Sequence, residues 1–492
     1  MAEIIIQGIN VKYRDLKENE EILYDKLPIE DQYFKREEPP FTEDEIVLMA
    51  TKELSYSPLQ KHWVEREKKR IEYGEGVYVR IKNRITYIPA SYWGYITHWT
   101  LENNEKPEYR EADRIFFLLF EYLYFETDVL GVTRGKGRRQ GATSMGFYLM
   151  WWIGGNLPNK LCGSISYNDD VAQKNFQGMF MLGFRNLLPC FVAPFDSDSD
   201  NFVRFREPVE KKKKGVPIKP KGLNSYCDYV ANTLNAYDSG RLSFGLFDES
   251  GKYHKMDINT YWSKVSPTMK KGKHKVGFAY LPTTVNPEKL GGANYREFWK
   301  VSNQNAINKS TGLPYGLITP SGVVRYLVPA TEGYAGCIDK YGDSVIDDPK
   351  EPVMGNDGFY ITEGSRSVIL RERALKEDAA QLMEHRRDFP LDEFDMFAFT
   401  VGQCEFNEQN LRNQIQELID NPVHLRQCRL NMLSHVTKSV VPGKPDRIEK
   451  VVDWMDDQKG GWYILEPPNV KNKFRRSGNF MEPLNTHLYQ IG

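Results

Sequence analysis

The chain has 492 residues, more than one ordinary core accommodates, so two or three structural units are expected. Hydrophobic residues at 40 % and aromatics at 13 % exclude a disordered chain. With 66 basic against 67 acidic side chains, the net charge of −1 excludes a general attraction to nucleic acid and leaves only local basic patches for it.

In chain order, residues 41–73 carry a helical pattern, with Thr42 placed to cap it and acidic residues in its first turn. Residues 76–99 form an aromatic run of strand character. Residues 111–127 (EADRIFFLLFEYLYFET) set their apolar positions on one side of a helix. VLGV then leads through a glycine- and arginine-rich turn into a long apolar helix. Strand-like runs follow at residues 160–167 (KLCGSISY), 242–247 (LSFGLF) and 276–281 (VGFAYL). Strands alternating with helices predict an α/β fold with a mostly parallel sheet. Residues 201–224 contain KKKKGVPIKPKG and read as an exposed charged loop, either solvated or touching a polyanion. Beyond Asn286 the chain is glycine-rich to about Gly358, and helical patterning resumes over residues 365–387 and 408–433 as a second unit.

The longest apolar stretches, residues 115–120 and 147–155, fall short of the roughly 18–20 residues that span a bilayer. The N-terminus lacks a basic segment and a cleavage site, so neither export nor a membrane anchor is expected. Cys162, Cys190, Cys227, Cys337, Cys404 and Cys428 form no CxxC pair and the histidines never pair at ligand spacing, which predicts reduced thiols and no zinc.

Chemistry concentrates in residues 135–144, GKGRRQGATS, between an apolar strand and an apolar helix. A phosphate loop needs glycines so that backbone N–H groups can wrap an anion, a hydroxyl to reach magnesium, and a lysine for the terminal phosphates. Gly141 and Thr143 satisfy the pattern G-x-x-x-x-G-K-[ST]. It fails twice, with Lys136 at the first glycine position and Ala142 at the lysine position. A lysine at the front of the loop can still fold its amine over the β- and γ-phosphates, so the charge is moved and not lost. Arg138 and Arg139 add cations where charge develops in phosphoryl transfer. A basic turn capping a helix is the plainer alternative.

About a hundred residues on, LSFGLFDE is an apolar strand ending in adjacent acids, as a Walker B strand does. Asp248 suits magnesium and Glu249 suits the general base that polarises the attacking water. The third strand opens into Pro282, Thr283 and Thr284, whose hydroxyls lie where ligands of open α/β sheets bind and can sense the γ-phosphate.

In this order of features the chain resembles the large terminase subunit of tailed bacteriophages, the motor ATPase that packages double-stranded DNA into empty capsids. The resemblance rests on KGRRQGAT with its lysine shifted forward, on the DE strand at the family's distance, and on the threonine pair. PEYREADR (residues 107–114) resembles the segment before the ATPase core that helps hold the adenine, and RRDFPLDEFDMF (residues 386–397) resembles the stretch that closes it.

The resemblance implies a RecA/ASCE-like P-loop NTPase with ATP and Mg2+ as cofactors. It puts Lys136 on the terminal phosphates among the nucleotide-binding loop residues Gly137, Gln140, Gly141, Ala142, Thr143 and Ser144. Thr143 and Asp248 would hold the metal, Glu249 would be the catalytic carboxylate, and Arg138 or Arg139 the cis arginine. Thr283 and Thr284 would couple hydrolysis to movement, and Tyr109 and Arg114 would meet the adenine or ribose. Implied partners are double-stranded DNA, the portal protein, the small terminase subunit and further copies in a ring on the procapsid, in the host cytoplasm and transiently at the portal, with no membrane.

The expected organisation is an N-terminal extension over residues 1–100, the ATPase core over 101–330, a helical lid or linker over 331–435, and a C-terminal linker over 436–492. Asp446, Asp453, Asp456 and Asp457 occupy a polar stretch on no recognisable buried strand, and the closing HLYQIG resembles the first strand of the family's nuclease. The expectation is therefore that the nuclease domain is absent from this chain. A helicase-like or other P-loop translocase is the alternative enzyme, and a binding protein with a basic turn is the non-catalytic one.

Overall fold

A computed structural model of the chain describes residues 1–207, 222–398, 426–437, 447–457, 459, 462–464, 474–477 and 480–483. Met1–Thr400 forms one compact unit and Val401–Gly492 a second.

The first unit opens with an antiparallel hairpin of β1 (Ala2–Ile6) and β2 (Ile9–Tyr13). β3 (Ile22–Leu23), β4 (Val77–Ile81) and β5 (Arg84–Ile88) make a small sheet. Between them the helical pattern of residues 41–73 divides into α1 (Glu43–Ala50) and α2 (Pro58–Arg70). Each starts on a full capping box, Thr42 with Glu45 and Ser57 with Gln60, and Pro58 sits at the first helical position, where its missing N–H costs nothing.

The strand expected over residues 76–99 ends at Ile88, because Pro89 begins α3 (Ala90–His98). Apart from Thr97 every residue of α3 is buried, so no polar face exposes a 3.6-residue period, and its Tyr and Trp content imitates a strand.

The core then alternates: α4 (Glu111–Glu126), β6 (Gly131–Lys136), α5 (Ala142–Gly154), β7 (Leu161–Ile165), α6 (Asp169–Asn175) and α7 (Leu182–Arg185). It continues through β8 (Ser197–Ser199), β9 (Phe202–Phe205), β10 (Ser225–Tyr229), β11 (Phe244–Phe247) and α8 (Ile258–Val265). A short hairpin of β12 (Lys270–Lys271) and β13 (His274–Lys275) precedes β14 (Phe278–Thr283), α9 (Gly292–Val301) and β15 (Val323–Val328).

Among the described residues the central sheet has eight strands in the order β15-β6-β14-β11-β7-β10-β9-β8. From β15 to β10 every pair is parallel, and β9 and β8 add an antiparallel edge. The charged loop expected over residues 201–224 thus contains a strand at Phe202–Phe205, where Val203 and Phe205 are buried; residues 208–221 lie outside the described residues.

Both faces of the sheet are covered, as a parallel sheet requires. Along β14 Phe278 and Tyr280 join one hydrophobic cluster while Ala279 and Leu281 join the other, the two-residue alternation of a strand. The first cluster is a slab of rings that includes Phe116, Phe117 and Phe120 of α4 and Tyr148 and Trp151 of α5, each worth roughly 1.5–3 kcal/mol of burial. The second includes Tyr261 and Trp262 of α8 and Tyr295, Phe298 and Trp299 of α9.

A hairpin of β16 (Val353–Met354) and β17 (Tyr360–Ile361) and the helices α10 (Ser365–Ala374), α11 (Ala379–Asp388) and α12 (Glu393–Met396) end the first unit. In the second unit β18 (Arg426–Thr437) pairs with β19 (Arg447–Asp456) and β20 (Trp462–Ile464), and β21 (Phe474–Ser477) pairs with β22 (Phe480–Pro483).

The helical reading of residues 408–433 is thereby corrected at its end, since Arg426 onward is strand; residues 408–425 lie outside the described residues. Cys428, Leu430 and Met432 alternate there, and ten-residue pairing with β19 decides between two periods that a short apolar run leaves open. Asp453 and Asp456 lie on β19; Asp446 and HLYQIG lie outside the described residues. Among the described residues no helix is long and apolar enough to cross a membrane.

Candidate active site

Residues 135–144 leave the sheet at the carboxyl end of β6 and enter α5. Gly141 is the N-cap at φ +69°, a left-handed conformation that glycine adopts freely, and no side chain caps the helix. The first N–H groups of this thirteen-residue helix are therefore open to an anion. The loop is braced from inside. Gln140 Oε1 accepts from the Gly137 N–H at 3.0 Å, and Gln140 Nε2 donates to the carbonyls of Pro329 and Glu332 at 2.9 and 2.8 Å. Gly137 must be small there, because a Cβ would lie 2.9 Å from that of Ala330.

Lys136 ends β6 between β14 and β15, and only 5 % of it is exposed. Its Nζ lies 3.4 Å from Glu249 Oε1. Next to this pair Thr143 Oγ1 donates to Asp248 Oδ1 at 2.8 Å, while Ser166 Oγ and Asn175 Nδ2 each donate to Oδ2 at 3.2 Å.

Glu249 itself is left-handed at φ +52°, a conformation a non-glycine residue keeps only where its surroundings over-determine it. Here the backbone N–H is tied to the Pro282 carbonyl at 2.8 Å. On the side chain, Oε2 accepts from the Thr284 N–H at 3.0 Å and the Thr284 hydroxyl at 3.1 Å, lies 3.4 Å from the Thr283 hydroxyl, whose proton goes to the Thr284 carbonyl, and faces Lys252 Nζ at 3.2 Å.

The two acids are driven apart. Burial and then repulsion from Glu249 push the Asp248 carboxyl above its ordinary value, against the hydrogen bond from Thr143. Burial acts in the same sense on Glu249, but the ammonium groups of Lys136 and Lys252 and the Thr284 N–H outweigh it and hold its carboxyl low.

Lys136, Thr143, Glu249 and Lys252 open on a cavity of about 600 Å³, within the size range of small-molecule sites, whereas Asp248, Thr283 and Thr284 are buried and are not on its lining. Lys136, residues 138–145, Glu249 and Lys252 form one side, and Tyr95, Leu101, Pro107, Glu108, Arg110 and Asp113 are on its lining as well. A nucleoside triphosphate suits this shape and charge. The residues also suit magnesium, which takes one or two carboxylates besides phosphate oxygens and water: the Thr143 hydroxyl and the Asp248 carboxylate are paired beside the loop. Among the described residues no cluster of three or more acids, histidines or cysteines forms an all-protein cage.

The two arginines part company. Arg138 is bound to the end of α11, with Nε 2.8 Å from Asp388 Oδ1 and its N–H donating to the Asp388 carbonyl at 2.8 Å. Arg139 is exposed at the tip of the loop at φ +62°, on the cavity lining.

Tyr109 and Arg114 lie elsewhere. Tyr109 is buried against Phe34 and donates its hydroxyl to Glu111 Oε2 at 2.7 Å, and Arg114 spans Glu111 and the Tyr87 carbonyl at 2.7 and 3.0 Å. Neither lines the cavity; Glu108 and Arg110 of the same segment do. Ala142 is buried, and Ser144 Oγ lies 3.7 Å from Met179 Sδ. Sequence reasoning missed Ser166, Asn175 and Lys252. The first two arrive from chain far from either motif, whereas Lys252, three residues beyond Glu249, was within reach.

No protein-family model and no curated protein matches the chain. Among solved structures it is similar to the ATPase domain of the large terminase of Thermus phage P74-26, at 13 % identity and a TM-score of 0.35 over 58 % of this chain and 94 % of that one. It is similar to the large terminase of bacteriophage HK97 at 11 % identity and a TM-score of 0.36, over 69 % of this chain and 60 % of that one. The large terminase from a thermophilic bacteriophage, solved in complex with ADP, is 11 % identical with a TM-score of 0.25, over 43 % of this chain and 42 % of that one.

Proposed function

We propose that the chain is an ATPase of the phage large-terminase type, whose hydrolysis drives double-stranded DNA into a procapsid. The observation that carries the ATPase reading is the meeting of two motifs a hundred residues apart: Lys136 reaches Glu249 at 3.4 Å while Thr143 reaches Asp248 at 2.8 Å.

The open N–H groups at the start of α5 would bind the phosphates of ATP, and Lys136 would neutralise the terminal ones. Thr143 and Asp248 would hold a magnesium ion, which when bound supplies further neutralisation of phosphate charge. Glu249, held ionised, accepts the proton of the attacking water as it aligns for in-line attack. Arg138 is occupied by Asp388, so Arg139, for which no partner is found among the described residues, is the arginine proposed to meet charge developing on the transferred group. Loss of the γ-phosphate would change what surrounds Glu249, and Thr284, bonded to it, and Thr283, 3.4 Å from it, would carry that change into the loop after β14.

Double-stranded DNA, a portal protein, a small terminase subunit and a ring of identical copies on the procapsid are the proposed partners, in the host cytoplasm and at the portal. They rest on the sequence resemblance. Two basic runs, residues 211–214 and KKGKHK at residues 270–275, are proposed to touch DNA phosphates without reading sequence; the first lies outside the described residues. Residues 270–275 form the β12–β13 hairpin, where Lys275 turns inward to the Leu123 carbonyl at 2.6 Å and over the Phe278 ring.

The test compares ATP turnover of the protein and its Glu249→Gln variant, with a loss of about 10²–10⁴-fold expected and nucleotide binding kept. No hydrolysis by the parent, or equal hydrolysis by the variant, defeats the ATPase reading. Stimulation by procapsids separates a packaging motor from a helicase-like translocase, which single strands would stimulate.

A further inference from the structure

Resting on the ATPase reading, we infer that Lys252 is a positioning residue for the catalytic carboxylate: it holds Glu249 Oε2 in place when Lys136 turns to the nucleotide. The geometry divides the carboxylate between two ammonium groups. Lys136 Nζ faces Oε1 at 3.4 Å, and Lys252 Nζ faces Oε2 at 3.2 Å. The lysine motif of the phosphate loop accounts for the first; no motif accounts for the second.

Lys252 is placed by its own short turn, Ser250–Lys252. Its N–H donates to the Glu249 carbonyl at 2.8 Å, and the Gly251 N–H donates to the Thr283 hydroxyl at 2.9 Å. Gly251 allows this close approach, since a Cβ would come within 2.9 Å of Thr283 Oγ1 and 3.0 Å of the Thr284 carbonyl. The lysine side chain is 19 % exposed, lies 5.9 Å from the Tyr167 ring centroid and reaches the cavity. One turn therefore carries the carboxylate, the lysine that grips it and the contact with the threonine pair.

The two cations have different duties when ATP arrives. Triphosphate oxygens compete with Glu249 for Lys136, which uncovers Oε1, the oxygen that must face water. Oε2 keeps Lys252 and Thr284, so the carboxylate stays oriented while its other oxygen is released. Without Lys252 the carboxylate, 15 % exposed, would rely on the Thr284 N–H and hydroxyl at the moment of chemistry.

The experiment measures steady-state ATP hydrolysis by the full chain and by Lys252→Met and Lys252→Arg, with thermal unfolding and binding of a non-hydrolysable ATP analogue beside it. Lys252→Met is expected to lower kcat by about 10–100-fold with KM for ATP within about threefold, and Lys252→Arg to restore kcat to within about threefold of the parent. An unchanged kcat in Lys252→Met overturns the inference. So does a raised KM with kcat kept, which would make Lys252 a phosphate ligand, and so does an arginine variant as slow as the methionine one. If Lys252→Met unfolds, Lys252→Gln is read in its place by the same criteria. A parent that hydrolyses no ATP defeats the ATPase reading and this inference together, whereas loss in Glu249→Gln with none in Lys252→Met defeats this inference alone.

Discussion

At the carboxyl ends of the central strands Glu249, its side chain 15 % exposed, lies between Lys136 and Lys252 and is held ionised. Behind them, in the ring-filled slab between α3, α4 and α5, Glu121 is buried, but among the described residues no ammonium group pairs with it. Its carboxylate accepts from the Ser91 N–H at 2.7 Å, and burial pushes its pKa up to about 7. Burial raises the cost of charge in both places, and the neighbouring cations decide whether that cost is offset. The first region keeps a charge at hand for chemistry. The second holds its charge only weakly, with the carboxyl about half protonated near neutral pH.

The largest test of this contrast is Lys136→Ala, which removes the cation at the mouth of the phosphate loop. ATP turnover should fall by about 10²–10³-fold, the scale of one lost transition-state donor, measured under saturating nucleotide. A variant that turns over ATP normally would make the forward lysine a structural cation and erase the distinction between the two regions.

Glu121→Gln probes the other side. The folded pKa of about 7 lies above the ordinary glutamate value, so the folded state binds this proton more tightly than the unfolded chain does. The stabilisation is complete below the unfolded pKa and is lost as pH rises to about 7. Glutamine keeps an acceptor for Ser91 and cannot ionise. It should flatten the dependence between about pH 4 and 7 and raise stability at pH 8 by about 1–3 kcal/mol, read from unfolding at pH 5 and 8. Equal pH dependence in both proteins would show that Glu121 does not titrate in this window.

The smallest effect belongs to Arg138 and Asp388, which join the phosphate loop to α11 at 2.8 Å with the arginine half exposed. A double-mutant cycle of Arg138→Ala and Asp388→Ala should give a coupling of about 0.2–1 kcal/mol that weakens in high salt. If Arg138→Ala instead lowers kcat more than Arg139→Ala does, the assignment of the two arginines reverses.

Local pattern carried a large part of the fold. Thr42 with its acidic first turn announced α1, and the apolar runs ending in turn residues announced β7, β11 and β14. It failed where periodicity is silent. α3 is buried all round, so its sequence lacks an amphipathic face, and β18 has apolar residues that fit either period over a short window. Tyr109 and Arg114 show a related ambiguity: a tyrosine and an arginine near a nucleotide motif can as well be a buried ring and its ion pair, and here Glu111 engages both, off the cavity lining.

What the chain alone determined was the chemistry on offer: a glycine loop with a forward lysine, and a strand ending in two acids, because backbone freedom and side-chain charge are properties of neighbouring residues. What the tertiary structure decided was who faces whom. Lys136 and Glu249, 113 positions apart, come together because β14 lies between β6 and β11 in the sheet. Ser166 and Asn175 reach Asp248 from the end of β7 and from α6, and Asp388 takes Arg138 from the far end of the first unit. Strand order and register bring these groups within hydrogen-bond distance, and distance in space sets both the charge on a carboxylate and which arginine of the loop is tied to α11.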